Sequence, residues 1–526
     1  MPKNIINNSD TLFRLPLFPE RSSLATWKKV NRQVYGFSVE TAYQKLVQGH
    51  EQKWLKRGAI RALNLFHAAA KHVPAYKDFL KKHRLNPNSI ESIQDFPNIP
   101  VTDKDSYLRK YPLEKLVWYG NLPASQIIVA SSGTYSEPYI WPRHAIADEE
   151  TFLFHELGLA QQFELKKHST LALVCFSMGM HIAGTITMQS LLHLNKQGYP
   201  LSVMTPGYVT DAILSIIPQL ASKYDQILLA GYPPFMKEIV DRGQEKGIKW
   251  KNLNLKFLFA AEGFNESWRS YMGELTGADP SRDFISVYGS ADTAAMAQES
   301  LASIAIRRHL MTRPGAREQL FNDQRLPAFF QYYPEHKYFE SRDKELIVTC
   351  SAGIPLIRYN LHDNGGLLTQ NDLISRYPQI EPTLKQLQAQ KQLWNLPFVY
   401  VFGRSNQMVV LYGANIYLEH VRQALENKNI RHHVTGKIIM SIILDKQKDQ
   451  RFRVDVECAA KQTPSQKLTQ NIANQIEETL LQLNSEYRDM AGHIGARAKP
   501  IIKLNLFNDP KFISKQMKRK WIKPAK

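Results

Sequence analysis

The stretch Ile127-Ile128-Val129-Ala130-Ser131-Ser132-Gly133-Thr134 sets three hydroxyls and one glycine directly after a short apolar run. Such a run reads as a short buried strand. A strand that empties into a loop of this kind can turn successive backbone N–H groups and hydroxyls onto a phosphate, with Gly133 free to take φ > 0. An ordinary turn has the same composition. The loop also lacks GxxxxGK[ST], carrying Ser136 and Glu137 where a lysine would help. More chemistry-bearing residues stand at a distance: Ala261-Glu262-Gly263, Tyr288-Gly289-Ser290-Ala291-Asp292, the run from Arg358 to Asp363, Gly403-Arg404-Ser405-Asn406, and Lys515. Each has a bland reading when taken singly. Tyr288-Gly289 fits a turn after a strand, Asp363 a loop cap, and Arg404 a solvated surface residue.

The elements that must position these residues can be read from periodicity. Residues 36–84 predict helix, broken near Pro74, with apolar residues at three- and four-residue steps. Pro97 and Pro100 then predict an extended linker, after which Thr102 or Asp103 could cap a helix. Beyond the hydroxyl loop, TLALVCF, LSVMT, QILLA and LKFLFAA read as strands, and TDAILSIIPQL, PFMKEIVDRGQEKG and ESWRSYMGEL as helices. Alternation of this kind predicts a layered α/β domain. Residues 294–325 read as helical and basic, with no evident chemistry. From Glu345 the texture turns β-rich (ELIVTC, PLIRYNL, VYVFGRS, MVVLYG). The last ~115 residues predict a small α+β unit able to fold separately: helices near 418–426 and 465–487, and strands at GKIIMSIILD, FRVDVECAA and KPIIKLNLF.

At 526 residues the chain can form at least two domains, and 43% hydrophobic content with 22% charged residues excludes a disordered chain. Lys and Arg number 67 against 48 acidic residues, a formal +19, which predicts polyanionic company such as nucleotides and phosphates. Seven of the basic residues fall between Lys511 and Lys526 with no acidic one among them. No nucleic-acid-binding signature accompanies the charge, so no specific nucleic acid is expected. Cys175, Cys350 and Cys458 form no CxxC pair, which fits a reducing, cytoplasmic setting, and the N-terminal stretch shows no secretory pattern. Ser169 to Leu192 lacks charged side chains, yet its glycines and hydroxyls favour a buried strand turning into a core helix over a membrane span.

Taken together and in this order, SSGTYSEP, AAEGFNESWR, YGSADT, PLIRYNLHD and GRSNQMVVLYGANIY resemble the adenylate-forming (AMP-binding) ligase superfamily. Within it they are similar to the phenylacetate–coenzyme A ligase branch. The N-terminal HVPAYKDFL and IQDFPNIPVTDKDSYLRKYP extend the resemblance over most of the chain. It implies a large layered α/β domain with a β-rich subdomain over 1–402, a hinge at 403–406, and a small mobile α+β domain over 407–526.

The resemblance also implies a reaction: a carboxylate attacks ATP to give an acyl-adenylate and pyrophosphate, and coenzyme A then displaces AMP. Ser131, Ser132, Gly133 and Thr134 would hold the β- and γ-phosphates. Asp292 takes the place of the family's Mg²⁺-binding glutamate. Ala261, Glu262 and Gly263 would lie along the adenine with Tyr288 and Gly289 nearby, Asp363 would accept both ribose hydroxyls, and Arg404 would reach the ribose or phosphate. Asn406 matches the hinge and Lys515 the lysine that enters the site for adenylation; Lys518, in a basic run, is its rival. Tyr135, Ser136, Glu137, His362 and Ser514 depart from the family pattern. The acid is a small carboxylic acid of unfixed identity; Phe152, Phe154, Met178, Met180, His181, Tyr232 and Phe235 could line an acyl pocket or form plain core. Two alternatives stay open: transfer to an amine, hydroxyl or carrier thiol, and a catalytically impaired ligase-like binding protein.

Overall fold

The structure, a computed structural model, describes residues 39–124, 127–130, 139–176, 178–179, 182–404, 408–411, 414–445 and 450–512. Ser131 to Thr134, Tyr135, Ser136, Glu137, Met180, His181, Asn406, Ser514, Lys515 and Lys518 lie outside the described residues.

The apolar runs become strands β1 (Ile127–Ala130), β2 (Ile140–Arg143), β3 (Thr170–Val174), β4 (Leu201–Met204), β5 (Gln226–Gly231), β6 (Leu255–Ala260) and β7 (Phe284–Ser290). They continue as β8 (Ala294–Gln298), β9 (Ala328–Tyr332), β10 (Tyr338–Arg342), β11 (Glu345–Cys350), β12 (Leu356–Leu368) and β13 (Phe398–Arg404). Eleven of these form one sheet in the order β10-β11-β12-β13-β9-β8-β7-β6-β5-β3-β4. The half from β7 to β4 is parallel. It is made of near-continuous apolar runs, because crossover helices cover both of its faces. From β7 to β10 the pairing is antiparallel, so ELIVTC, PLIRYNL and VYVFGRS join the same sheet, whereas MVVLYG pairs with Ala414–Tyr417 in a separate two-stranded sheet.

Four helices matter to the site: α1 (Glu266–Thr276), α2 (Leu301–Leu310), α3 (Pro314–Phe321) and α4 (Leu418–Leu425). The stretch expected to be helical over 294–325 therefore opens with a strand. Ala294-Ala295-Met296-Ala297-Gln298 fills the slot between β7 and β9, where ladder pairing outweighs the helix propensity of alanine. Two further expectations give way. The segment β1 pairs only with β2, as a hairpin with Ile128 exposed, and so is not a buried strand of the main sheet. Asp103 caps no α-helix; its carboxylate accepts from the backbone N–H groups of Asp105 and Ser106 and closes a tight turn. Just before it, the extended linker docks on β12 through Thr102 N–H to Arg358 O and Asn360 N–H to Thr102 O, at 3.0 and 2.8 Å. Residues 169–192 resolve as β3 followed by the helix Ile182–Lys196. Among the described residues no helix is long and apolar enough to cross a membrane.

The small C-terminal domain has its own three-stranded sheet, Val434–Leu444, Gln450–Cys458 and Ile501–Asn505, and a core drawn from residues 409–504 alone. It meets the large domain through ion pairs: Arg422 to Glu262 at 3.2 Å, Arg431 to Glu274 at 2.8 Å, and Lys437 to Glu238 at 3.3 Å.

One buried network ties the turn after β6 to the amino-terminal part of β7. Arg269 on α1 is fully buried, with Nε 3.0 Å from Glu266, Nη2 on Glu299, and Nη1 donating to Phe284 O at 3.0 Å. Removing one partner of such a network strands the other charges in a low dielectric. Arg269→Met should therefore lower the unfolding free energy by about 3–5 kcal/mol. Urea denaturation checks this, and a loss below about 1 kcal/mol would show that Arg307 alone satisfies both carboxylates.

Candidate active site

A cavity of about 340 Å³ opens at the carboxyl ends of β6 and β7, between the large domain and α4 of the small one. Open parallel sheets bind ligands at this end of their strands. Six of the expected site residues line it: Ala261, Glu262, Gly263, Tyr288, Gly289 and Asp363. Tyr288 on β7 and Asp363 on β12 are 75 positions apart in sequence, yet the phenol donates to Asp363 Oδ2 at 2.6 Å. Asp363 is only 9% exposed, and its backbone pairs with that of Arg404 on β13. Gly403, which lines the cavity, takes φ +106°, open only to glycine without strain. His362, next to Asp363, sits at φ +55°, which explains why a glycine suits that position.

The turn after β6 is shaped from below. Ala261 sits in the left-handed region at φ +71°, a conformation an alanine keeps only when its surroundings enforce it. Arg307 on α2 enforces it. Its Nη2 donates to Phe264 O, its Nη1 to Glu266 at 2.9 Å, and its Nε to Pro327 O at 3.0 Å. Two guanidiniums pack against the Phe264 ring, at 4.8 Å (Arg269) and 5.7 Å (Arg307) from its centroid. Glu262, placed by sequence along an adenine, is paired with Arg422 of the small domain in this arrangement.

Asp292 stands apart from the cavity lining. Its Oδ2 accepts from Tyr359 Oη at 2.5 Å and lies 3.4 Å from Lys104 Nζ. Both contacts fall on one oxygen, and no hydrogen bond among the described residues reaches Oδ1. A hard, oxygen-seeking cation that keeps its waters and binds substrate phosphates asks little more of the protein than one such carboxylate oxygen. The residues present fit Mg²⁺ to that extent. Among the described residues no group of three His, Cys, Asp or Glu side chains forms a closed metal cage.

Of the side chains offered for an acyl pocket, Phe154, Tyr232 and Phe235 are buried core, Phe152 stacks on His193 at 5.0 Å, and none of the four lines the cavity. The cavity wall includes polar residues that sequence reading passed over: Asn265, Arg307, Arg317, Arg325, His420, Arg422 and Glu426. Three of these arginines come from the 294–325 stretch. The one sequence signal for them was its basic character.

The chain shares its architecture with solved ligases that form acyl-adenylates. It is similar to 2-hydroxyisobutyryl-CoA ligase in the postadenylation state with R3-HIB-AMP, at a TM-score of 0.63 and 13% identity, over 88% of this chain and 87% of that one. It is also similar to the same ligase with 2-HIB-AMP and CoA in the thioesterification state, at a TM-score of 0.50 and 14% identity, over 90% and 89%. Protein-family models give no match, and a comparison with curated proteins gives none. The fold is thus that of the adenylate-forming ligases, with a large N-terminal and a smaller C-terminal domain.

Glu426, at the cavity wall, has Oε2 buried without a partner. Burial pushes its carboxyl up to about 8 from an ordinary 4.5, against the pull of Asn265 and Arg422. The folded chain therefore keeps a proton that the unfolded chain has released between those two values. Stability from this group is complete below about pH 4.5 and is lost as pH rises toward about 8. Glu426→Gln should flatten the fall in the urea midpoint between pH 5 and 8. An unchanged slope would remove Glu426 as its source.

Proposed function

We propose that this chain is an ATP-dependent carboxylate ligase that makes an acyl-adenylate and passes the acyl group to a thiol, coenzyme A. The observation that carries the reading is the Tyr288–Asp363 pair beside the Ala261–Gly263 turn, at the strand ends that such folds use for ligands. An ionised Asp363 has acceptors only, so with one oxygen oriented by Tyr288 it suits both hydroxyls of a ribose. The turn beside it offers backbone and the Phe264 platform to a flat base.

In the first half-reaction an oxygen of the substrate carboxylate attacks the α-phosphorus of ATP, and the bond to the bridging oxygen of the leaving pyrophosphate breaks. The protein contributes in-line positioning and charge neutralisation. Ser131, Ser132, Gly133 and Thr134 take the β- and γ-phosphates, Lys515 meets the charge growing on the α-phosphate, and Arg404 supports the ribose or phosphate side. Mg²⁺, when bound, would be held through Asp292 and would supply further neutralisation of the phosphates. In the second half-reaction a thiolate sulfur attacks the acyl carbon and AMP departs, after the small domain has turned about a hinge at 403–406 with Asn406 at its centre. The stronger similarity to the postadenylation state than to the thioesterification state supports reading the present arrangement as nearer the former. The motif resemblance to the phenylacetate–coenzyme A ligase branch supports an aryl or acyl acid as substrate.

Exchange of labelled pyrophosphate into ATP, across a panel of carboxylic acids, tests adenylation. Consumption of coenzyme A against amines with the best acid then tests the acceptor. Asp363→Ala should weaken ATP binding by about 2–4 kcal/mol, because a charged acceptor is lost from both hydroxyls. Unchanged ATP affinity in a folded variant would take Asp363 out of the nucleotide site.

A further inference from the structure

Lys104 stands in the linker that docks on β12, and its backbone is held from both sides. Thr102 bonds to Arg358 and Asn360 at 3.0 and 2.8 Å, and Lys104 O accepts from Arg109 N–H at 2.8 Å. The neighbouring Asp103 adds a contact to His362 Nε2 at 3.4 Å. The side chain, in contrast, is 31% exposed and lightly held. Its Nζ lies 3.4 Å from Asp292 Oδ2 and 5.5 Å from the centroid of the buried Trp141 ring. A charge-assisted hydrogen bond closes to about 2.7–2.9 Å. The ammonium carries three donors, and none of them makes a hydrogen bond among the described residues.

Those donors stand where a polyphosphate would need them. Tyr288 donates to Asp363 at 2.6 Å and Tyr359 donates to Asp292 at 2.5 Å. Two phenols crossing between the end of β7 and β12 thus fix Asp292 relative to the carboxylate assigned to the ribose. Trp141 follows Ile140, which pairs with Ala130, so Lys104 also lies against the foot of the β1–β2 hairpin. The sequence between those two strands, Ser131 to Tyr139, contains Glu137 and no Lys or Arg. ATP placed as proposed above therefore meets carboxylates that repel its phosphates, and a divalent cation offsets only part of the negative charge. Lys104 is the cation paired with Asp292 among the described residues.

We propose that Lys104 is a phosphate-binding residue of the nucleotide site, its ammonium bridging Asp292 and the polyphosphate of the bound nucleotide. The inference rests on the nucleotide reading above and adds to it a cation from the linker. A lysine ammonium is a compact point charge with three rotatable donors on a flexible stem. One donor can stay turned to Asp292 Oδ2 while the others reach phosphate oxygens, and the face of Trp141 favours the charge between them. A divalent cation taking Oδ1 would act on the phosphates from the same carboxylate. A partly exposed ion pair adds little to stability, so the Lys104–Asp292 pair is poorly explained as a brace for the fold. In the proposed reaction Lys104 neutralises charge and steadies the pyrophosphate that leaves; it moves no proton.

The test is equilibrium titration of the full chain with three probes: adenosine, ATP with Mg²⁺, and inorganic pyrophosphate with Mg²⁺. The wild type is compared with Lys104→Met, Lys104→Arg and Asp363→Ala. Lys104→Met should bind adenosine within about twofold of the wild type and both phosphate probes at least about tenfold more weakly, the worth of one charge-assisted contact. Lys104→Arg keeps the charge and should recover most of that loss. Asp363→Ala should show the opposite split, weakening adenosine and sparing pyrophosphate. The proposal fails if Lys104→Met binds ATP and pyrophosphate as tightly as the wild type, or if the wild type binds neither. It fails too if Lys104→Met loses adenosine in the same proportion, as a lysine needed only for the linker's fold would. Adenosine binding that Asp363→Ala leaves unchanged instead removes the nucleotide reading, and the pyrophosphate titration still decides on Lys104.

Discussion

The site rests on the buried charge network beneath the turn after β6. Arg269 and Arg307 face Glu266 and Glu299 with almost no water between them, and Glu299 Oε2 also accepts from Ser286 N–H on β7 at 2.9 Å. Two arginines against two glutamates leave no net buried charge, and their fixed geometry joins α1, α2 and the edges of β6 and β7 into one block. The turn at 261–264 can hold Ala261 at positive φ because Arg307 grips Phe264 O and two guanidiniums pack against the Phe264 ring. Strain at a ligand-facing turn is tolerated where a rigid support overdetermines it. The same support fixes the distance from the turn to the Tyr288–Asp363 pair.

The small domain closes over this block mainly through charge. Its contacts to Glu262, Glu274 and Glu238 are ion pairs, of which Lys437–Glu238 is largely buried and Arg431–Glu274 has an exposed carboxylate. Arg422 of the small domain sits against Glu262 on the cavity wall.

Much of this was legible in the sequence, and the reasons differ by element. The parallel strands were visible because each is an unbroken apolar run, as in Gln226–Gly231, and their helices because the period shifts to 3.6. The pairing of Tyr288 with Asp363 was legible only as two motifs, since no local pattern links residues 75 apart; only the fold brings them within 2.6 Å. β8 was missed because Ala294 to Gln298 has helix propensity, and its slot in the sheet is a tertiary fact. β1 is the strand expected, but only Val129 and Ala130 are buried, because an apolar run does not tell a hairpin from a sheet interior. Arg307 and Arg317 read as generic basic residues because their meaning lies in what they face. For Arg307 that is a carbonyl and a carboxylate on another helix. For Arg317 it is a place on the cavity wall without an ion pair among the described residues.

The central claim is that the turn at 261–264 and Asp363 form one nucleotide site. The most direct measurement is a crystal structure of the chain with bound ATP. The account predicts a base lying along Ala261 to Phe264 and a ribose whose two hydroxyls contact the Asp363 carboxylate. A nucleotide bound elsewhere, or a ribose that leaves Asp363 bonded to Tyr288 alone, would contradict it.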